Sequence, residues 1–306
     1  MEIINIAFFG THDFAATILE GLLSNPAFSI QTVFTQPDRK VGRKQILEES
    51  PVKKLALQHN LHIEQPETFK KFQFPFSNFQ LAIVAQYGLI IPKRIIEAFP
   101  KGMINVHGSI LPKYRGASPI QDAIKNGEKV TGVTIMLMDE KVDHGPILSH
   151  EGVVIDPEDN FTTLSKKMAA TGSTLLLNTL TQYLSGEIIP EPQQHAQATF
   201  TVLINKNDGK LDFSKSNTDI YNTYRAFTPW PGVWCLWKEK RLKLLKIIKA
   251  VENLSPGEVL IKNKRIFVGC GEGSIEVLEL QLEGKNTMSA EVFANGYQDF
   301  AKAELS

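Results

Sequence analysis

The chain has 306 residues, of which 42% are hydrophobic and 22% charged, as in ordinary globular proteins. It carries 33 basic and 33 acidic side chains, so a polyanion could be attracted only by a local basic patch. The two cysteines, Cys235 and Cys270, exclude a disulfide framework, and no apolar run is long enough for a membrane span. The N-terminus lacks a signal-peptide pattern, so we expect a cytoplasmic protein with reduced thiols.

Apolar runs and helical patterns alternate through the first half of the chain. Because the runs are almost entirely apolar, we predict an α/β, Rossmann-like open sheet, mainly parallel, with helices on both faces. A glycine follows the first run, but the dinucleotide signature G-x-G-x-x-G is absent. The predicted strands are residues 3–9, 30–35, 81–86, 103–106, 131–137 and 146–155. The first predicted helix begins at Asp13, and the other predicted helices are residues 51–59, 92–98, 117–127 and 161–184.

The last third of the chain has a different pattern. Residues 190–206 contain Pro and Gln and lack periodicity, which predicts a linker between a first domain (1–189) and a second (207–306). After a predicted helix, short apolar runs separated by Gly and Asn are typical of a small antiparallel β-barrel or sandwich. The helix is 216–227, the runs are 233–238, 241–249, 256–262, 265–270 and 274–282, and a terminal helix is predicted at 289–295.

Basic residues cluster in two places. Nine Lys and Arg lie between Lys238 and Arg265 against three acids, whereas the chain from Glu272 onward has seven acids and two lysines. A barrel with one basic side is typical of contact with a phosphate backbone, and a solvated strand face explains the pattern equally well. The second cluster lies in the long loop 36–50, and loops of that length are usually functional or disordered. Its basic residues are Arg39, Lys40, Arg43 and Lys44.

Asn105 and His107 lie at the end of the predicted strand 103–106. Side chains two apart project from the same face of a strand, which places an amide donor beside an imidazole. An isolated N-x-H pair is more often a capped strand end. However, Asp143 follows the next strand, and a carboxylate fixes the tautomer of an imidazole while an amide can bind an oxyanion. With no Ser or Cys nucleophile beside them, these groups indicate direct transfer of an acyl group to an amine.

Five stretches of the sequence resemble the folate-dependent formyltransferases. They occur in the same order as in that family and run through most of the chain, so together they are far more specific than any single motif. The stretches are FTQPDRKVGR (34–43), VAQYGLIIPK (84–93), NVHGSILPKYRGASPIQ (105–121), TGVTIMLMDEKVDHGPIL (131–148) and AFTPWPGVW (226–234).

The resemblance implies a catalytic trio of Asn105, His107 and Asp143. It also implies 10-formyltetrahydrofolate as the formyl donor, an OB-like C-terminal barrel that binds tRNA, and the α-amine of methionine on initiator tRNA as the acceptor. The implied folate site comprises Ser109, Ile110, Leu111 and Pro112, with the backbone from Tyr87 to Ile90, including Leu89. Arg43 would contact the tRNA acceptor end, and the two basic clusters would add Arg39, Lys44, Lys240, Arg241 and Lys243.

Other readings of the same residues remain open. The scaffold could formylate a small amine, such as a ribonucleotide or an amino sugar, although the purine-pathway form ordinarily ends after the first domain. The chain could also be an inactive RNA-binding relative, against which the intact Asn-His-Asp set argues. No metal is predicted, because His107, His144 and His150 lack cysteine partners and the helical His-x-x-x-His spacing. We expect a monomer.

Overall fold

The computed structural model of the protein describes residues 3–42, 45–70, 72–74 and 79–306. The chain forms two compact units. The first contains the residues up to 119 together with 130–154 and 165–202, and the second contains 120–129, 155–164 and 203–306. The chain enters the second unit for the last time between Val202 and Leu203, inside the predicted linker 190–206. The domain limits 1–189 and 207–306 stay predictions.

A seven-stranded mixed sheet forms the centre of the first unit. The strands of this unit are β1 (Ile4–Gly10), β2 (Phe28–Phe34), β3 (Arg39–Val41), β4 (Ile46–Glu48), β5 (Ile63–Glu64), β6 (Leu81–Ala85), β7 (Met103–His107), β8 (Arg115–Gly116), β9 (Val130–Leu137), β10 (Ile147–Val154) and β11 (Phe200–Thr201). The sheet has the order β10-β9-β7-β6-β1-β2-β5, while β3 pairs with β4 and β8 with β11. The strands from β7 to β5 are parallel, whereas β9 and β10 are antiparallel to their neighbours. The predicted Rossmann-like, mainly parallel fold is confirmed.

Helices alternate with the strands over the first two thirds of the chain. They are α1 (Asp13–Leu23), α2 (Pro51–Gln58), α3 (Lys93–Ile96), α4 (Pro119–Lys125) and α5 (Phe161–Ser185). The side chain of Ser50 accepts a hydrogen bond from the Lys53 amide and Pro51 occupies the first turn, which explains why α2 begins there. None of the helices in the described ranges combines the length and apolarity that a membrane crossing requires.

Both faces of the sheet are covered, because successive side chains of a strand point to opposite sides. On one face the rings of Phe9 and Phe34 stack with centroids 4.5 Å apart, inside an aromatic core that includes residues of α3. On the other face α5 packs closely, since a Cβ added at Gly172 would lie 3.2 Å from Val133 and 3.3 Å from Val106. The near-continuous apolar strands of the sequence therefore reflect burial on two sides.

The second unit is built on antiparallel strands. Its elements are α6 (Asn217–Phe227), β12 (Val233–Trp237), β13 (Lys240–Ala250), β14 (Val259–Lys262), β15 (Arg265–Gly269), β16 (Ser274–Leu282), β17 (Met288–Ser289) and α7 (Ala290–Gly296). The order is β12-β13-β16-β15-β14, with β17 on β16. The ring of Trp237 packs edge-on against Phe293 and Phe300, with centroids 5.8 and 5.0 Å away. The predicted C-terminal β domain is confirmed.

Candidate active site

Three polar side chains meet at the end of β7. Asn105 Nδ2 donates to Oδ1 of Asp143 over 3.1 Å, and Nδ1 of His107 lies 3.5 Å from the same oxygen. The other carboxylate oxygen of Asp143 accepts a 2.8 Å hydrogen bond from the Gly116 backbone amide. Only 6% of the His107 side chain and 12% of the Asp143 side chain are exposed, so solvent screens their interaction weakly. The structure thus brings the three predicted catalytic residues together.

The pairing of β7 places Asn105 and His107 on one face. In the antiparallel pair with β9, Asn105 lies opposite Met136 and His107 opposite Thr134. Met103, two residues before Asn105, is buried in the aromatic core that covers this face. The amide and the imidazole therefore project side by side, as the spacing of two predicts.

The turn that holds Asp143 is tightly constrained. Asp143 has φ 46°, in the left-handed region that costs most L-residues energy and that Asp tolerates better than most. A Cβ added at Gly145 would lie 2.0 Å from the Leu137 carbonyl oxygen, so only glycine fits there. This tight turn after β9 returns a carboxylate to the end of β7.

A hydrogen bond to a backbone carbonyl places one hydrogen of the His107 ring on Nε2. Nε2 is 3.0 Å from the Tyr114 carbonyl oxygen, which can only accept, so Nε2 carries a hydrogen. In a neutral ring, Nδ1 would then present a lone pair to Oδ1 of Asp143. An imidazolium, with hydrogen on both nitrogens, satisfies both acceptors. The geometry therefore places Nδ1, the ring nitrogen that does not bind Tyr114, beside the Asp143 carboxylate.

The residues predicted for the folate site lie in different environments. Ser109 and Leu111 are buried, and the Thr134 hydroxyl links them by donating to the Ser109 carbonyl over 2.7 Å and accepting from the Leu111 amide over 3.1 Å. Ser109 Oγ also donates to the Lys113 carbonyl. Ser109 and Leu111 thus fix the shape of the loop. More accessible are Ile110, Pro112 and Leu89, which are half-buried, and Ile90, which is 91% exposed.

Tyr87 begins the backbone segment predicted to contact the folate. Its carbonyl oxygen accepts hydrogen bonds of 2.8 Å from the Thr11 hydroxyl and from the Gln36 side-chain amide. Its ring is buried in the aromatic core, and this burial raises the pKa of the phenol. Tyr87 therefore anchors the segment, and Leu89 and Ile90 are its more accessible residues.

A cavity of about 360 Å³ lies next to the turn that holds Asp143. One wall comes from α3 and the residue after it, which follow Leu89 and Ile90 closely in the chain. The other comes from residues 138–144, which follow β9. Met138, in one wall, also packs against the aromatic core, as does Leu89. None of the lining residues belongs to the predicted folate site. They are Lys93, Ile96, Glu97, Met138, Asp139, Glu140, Lys141 and His144.

Of the residues of the first unit that are predicted to bind tRNA, the structure describes Arg39, on β3. Arg43 and Lys44 fall outside the described residues. Arg39, on β3, is exposed and its guanidinium donates a hydrogen bond to the side chain of Gln36. Part of the loop 36–50 thus forms a hairpin, with Arg39 at its base.

In the second unit, the nine basic residues between Lys238 and Arg265 fall into two groups. Five lie on β13 and form no ion pair with the residues that the structure describes, and one of them, Arg241, stacks over the Trp234 ring at 3.9 Å. Within the described residues 238–265, the unpaired positive charge therefore lies on β13. The five are Lys240, Arg241, Lys243, Lys246 and Lys249. The four ion pairs of the other group are Lys238–Asp299, Lys262–Glu252, Lys264–Glu291 and Arg265–Glu276.

Two residues that bind Asp143 were missed in the sequence analysis. The Gly116 amide donates to its carboxylate, and the side chain of Gln193 donates to its backbone carbonyl over 3.0 Å. Gly116 lies in the stretch 105–121 that resembles the formyltransferases, and this resemblance could have indicated that it belongs to the site. Gln193 lies in the predicted linker, and nothing in its local pattern indicates a role.

Comparison with known proteins identifies the family. Residues 4–180, more than half of the chain, match the family described as "Formyl transferase". The chain belongs to this formyltransferase family. Residues 203–298 match "Formyl transferase, C-terminal domain". The resemblance read from the sequence is thereby confirmed.

Relatives of nearly the same length carry a more specific name. The chain is 43% identical over 304 residues to the methionyl-tRNA formyltransferase of Caldicellulosiruptor saccharolyticus, covering 96% of this chain and 97% of the relative. It is 41% identical over 298 residues to that of Streptococcus pyogenes serotype M2, covering 96% of each.

Solved structures share the fold. The crystal structure of WlaRD, a sugar 3N-formyl transferase in the presence of dTDP and 5-N-formyl-THF, superposes with a TM-score of 0.67 at 20% identity. The match covers 94% of this chain and all of that one. At this identity the match supports the fold class, which agrees with the strand order described above.

Proposed function

We propose that this protein transfers the formyl group of 10-formyltetrahydrofolate to the α-amine of methionine on initiator tRNA, giving N-formylmethionyl-tRNA for translation initiation. The observation that carries the proposal is the 43% identity to a methionyl-tRNA formyltransferase over 96% of the chain. The cluster of Asn105, His107 and Asp143 supports it, because it supplies donors and a carboxylate. The proposed enzyme is a cytoplasmic monomer and needs no metal.

The proposed reaction is direct transfer between two nitrogen atoms. 10-Formyltetrahydrofolate supplies a formyl carbon, whose bond to the folate nitrogen breaks as the bond to the methionine amine forms. Asn105 stabilises the oxygen on which negative charge develops, because one hydrogen of Nδ2 binds Asp143 and the second is available to that oxygen. A positive His107 adds favourable charge nearby, and Asp143 holds its ring.

Proton transfer completes the reaction. The attacking amine loses a proton and the departing folate nitrogen gains one, so a group that can accept and return a proton is needed. In this proposal the Asp143 carboxylate accepts the proton that the amine loses, and the same proton is then given to the departing folate nitrogen, so the pair of His107 and Asp143 returns to its starting state. His107, with Nδ1 3.5 Å from Oδ1, holds the carboxylate in place during both transfers. Both side chains are nearly buried, which limits competing transfer to water.

The folate is proposed to bind between Leu89–Ile90 and the loop residues Ile110 and Pro112, extending into the cavity of about 360 Å³. These four residues are the accessible members of the predicted set, and Ser109 and Leu111 support them from inside. The cavity supports this placement because its lining includes Lys141 and His144, which flank Asp143 in the chain. A donor bound there would place its formyl group at the end of β7.

The tRNA is proposed to contact Arg39, Arg43 and Lys44 in the first unit and β13 in the second. The five unpaired basic side chains of β13 support the second contact, because phosphate groups bind free Lys and Arg more readily than those already paired with acids. Lys240, Arg241 and Lys243 belong to this group.

The test offers three acceptors to the enzyme with 10-formyltetrahydrofolate: methionyl-initiator tRNA, a nucleotide-linked amino sugar and an amino ribonucleotide. We expect formyl transfer to methionyl-tRNA and little transfer to the two small amines. Preferential formylation of one of the small amines would contradict the proposal and support an enzyme that acts on small amines. RNA binding without transfer to any acceptor would contradict the proposal and indicate a catalytically inactive RNA-binding relative.

A further inference from the structure

Arg115 is buried beside the turn that holds Asp143, with 3% of its surface exposed. A buried guanidinium is costly unless its N–H groups are satisfied. Here they bind neutral acceptors: Nε and Nη2 donate to Gln193 Oε1 over 3.1 and 2.5 Å, and Nη2 also lies 2.9 Å from His195 Nδ1. The two hydrogen bonds from Arg115 thus fix the side chain of Gln193.

Gln193 uses both ends of its side-chain amide. Its oxygen accepts the two hydrogen bonds from Arg115, and its nitrogen donates to the carbonyl oxygens of Asp143 and Gly145 over 3.0 and 2.7 Å. Both hydrogens of the nitrogen are therefore engaged. The side chain is 6% exposed, so water replaces these bonds poorly.

Both residues of β8 thus support Asp143, one directly and one through Gln193. The amide of Gly116 binds the carboxylate directly, and the side chain of the preceding Arg115 reaches the backbone of the same residue through Gln193. Asp143 needs such support, because its backbone has a φ of 46°. Gln193 and Gly116 hold opposite ends of Asp143, its carbonyl and its carboxylate.

We propose that Arg115 and Gln193, hereafter the Arg115–Gln193 clamp, are positioning residues that fix Asp143 for formyl transfer. Gln193, which lies in the stretch that the sequence predicts to be a linker, then positions Asp143 through its side chain. The proposal rests on the proposed function, since it concerns the carboxylate that orients His107. The clamp acts through Asp143 and makes no contact with the reacting atoms.

The variant Gln193→Glu tests the clamp with almost no change of shape. A glutamate still accepts from Arg115, but it turns an oxygen toward the carbonyls of Asp143 and Gly145 and so loses both donors. We expect kcat to fall about 10²-fold, as for other small misplacements of catalytic groups. KM for both substrates should stay within about twofold, because the clamp does not touch them.

The control variant is Gln194→Glu, which makes the same change of charge at the exposed neighbouring residue. We expect its kcat and melting temperature to match those of the wild type. An unchanged kcat in Gln193→Glu overturns the proposal. So does a loss of kcat that is matched by Gln194→Glu, since the added charge alone would then explain it.

A double-mutant cycle separates positioning from general support of the fold. If Gln193 acts through Asp143, Gln193→Glu should change the residual rate of an Asp143→Ala enzyme by less than about twofold. An equal loss in the wild-type and Asp143→Ala backgrounds overturns the proposal. It would show that the glutamine supports the structure independently of the carboxylate.

A measurement without turnover keeps the clamp distinguishable from the proposed function. With ¹³Cγ-labelled aspartate, the Asp143 carboxyl signal should shift in Gln193→Glu and stay in place in Gln194→Glu. If the wild type formylates no methionyl-tRNA, the proposed function fails while this signal still reports on the clamp. An unmoved Asp143 signal in Gln193→Glu overturns the clamp even if formylation is observed.

Discussion

Nδ1 of His107 lies 3.5 Å from Oδ1 of Asp143, although the two residues belong to different segments of the chain. The antiparallel pairing of β7 with β9 and the tight turn after β9 create this proximity. Because Nε2 of His107 donates to the Tyr114 carbonyl, Nδ1 is the ring nitrogen that faces the carboxylate. This arrangement supports the proposed roles of the two residues in formyl transfer.

Gly116→Ala should weaken both the fold and the reaction. Gly116 has φ 116°, and an added Cβ would lie 2.5 Å from the Thr201 carbonyl oxygen, so β8 must shift away from β11 and from Asp143. We expect a loss of about 1–3 kcal/mol in the free energy of unfolding. We also expect a lower kcat, because the hydrogen bond from the Gly116 amide to the Asp143 carboxylate is displaced. Urea denaturation and steady-state kinetics measure the two effects.

Gly186→Ala is the control for that variant. Gly186 also has a positive φ, 81°, but no atom lies within 4 Å of an added Cβ. It should lose only about 1–2 kcal/mol for the backbone conformation and should keep its kcat. Equal kcat in the two variants would contradict a role for Gly116 in holding Asp143.

The sheet and its helices could be predicted closely from the sequence. The apolar stripe at 161–184 becomes α5, Phe161–Ser185, and the run 274–282 becomes β16 with the same limits. Strands buried on both faces and a long amphipathic helix leave strong periodic signals, because burial acts on every residue. Asn105 and His107 could likewise be placed on one face from their spacing alone.

The contacts that complete the site could not be predicted in this way. Arg115 and Gln193 meet through one pair of side chains from distant parts of the sequence, and no periodicity records such a contact. The hairpin β3–β4 inside the loop 36–50 was missed because each strand has only three residues. The ion pairs that neutralise Lys264 and Arg265 depend on strand pairing, which the segregation of charge along the sequence conceals.

Lys243→Ala should reduce the salt dependence of tRNA binding. Lys243 is exposed on β13 and forms no ion pair with the described residues. Loss of one phosphate contact should lower the slope of log Kd against log salt concentration by about one. Binding isotherms for initiator tRNA at several KCl concentrations measure this slope.

Lys264→Ala provides the matched control for that experiment. Lys264 lies in the same unit but pairs with Glu291 at 2.7 Å, so its removal should leave the slope nearly unchanged. A larger change of slope in Lys264→Ala than in Lys243→Ala would place the tRNA contact on a surface other than β13.

Asp38→Asn should lower stability in a pH-dependent way. Hydrogen bonds from Lys53 at 2.6 Å and from Gln65 at 2.9 Å hold the pKa of Asp38 below its ordinary value of 3.8. A lowered pKa means that the ionised carboxylate stabilises the fold above pH 3.8 and that this contribution is lost as the pH falls through the folded-state value. We expect a deficit of about 1 kcal/mol at neutral pH.

Urea denaturation of Asp38→Asn and the wild type between neutral and acidic pH tests this expectation. The difference between the two proteins should shrink as the pH falls below 3.8. A difference that is constant or grows toward acid would show that the asparagine acts through packing and not through the lost charge.

The most direct test of the site is the single-turnover rate of formylmethionyl-tRNA formation in Asn105→Ala, His107→Ala and Asp143→Asn. Each variant should lose about 10²-fold or more, since each removes a group that stabilises or transfers charge in the transition state. Melting temperatures close to that of the wild type would show that the variants are folded. Near wild-type rates in all three folded variants would contradict the assignment of formyl transfer to Asn105, His107 and Asp143.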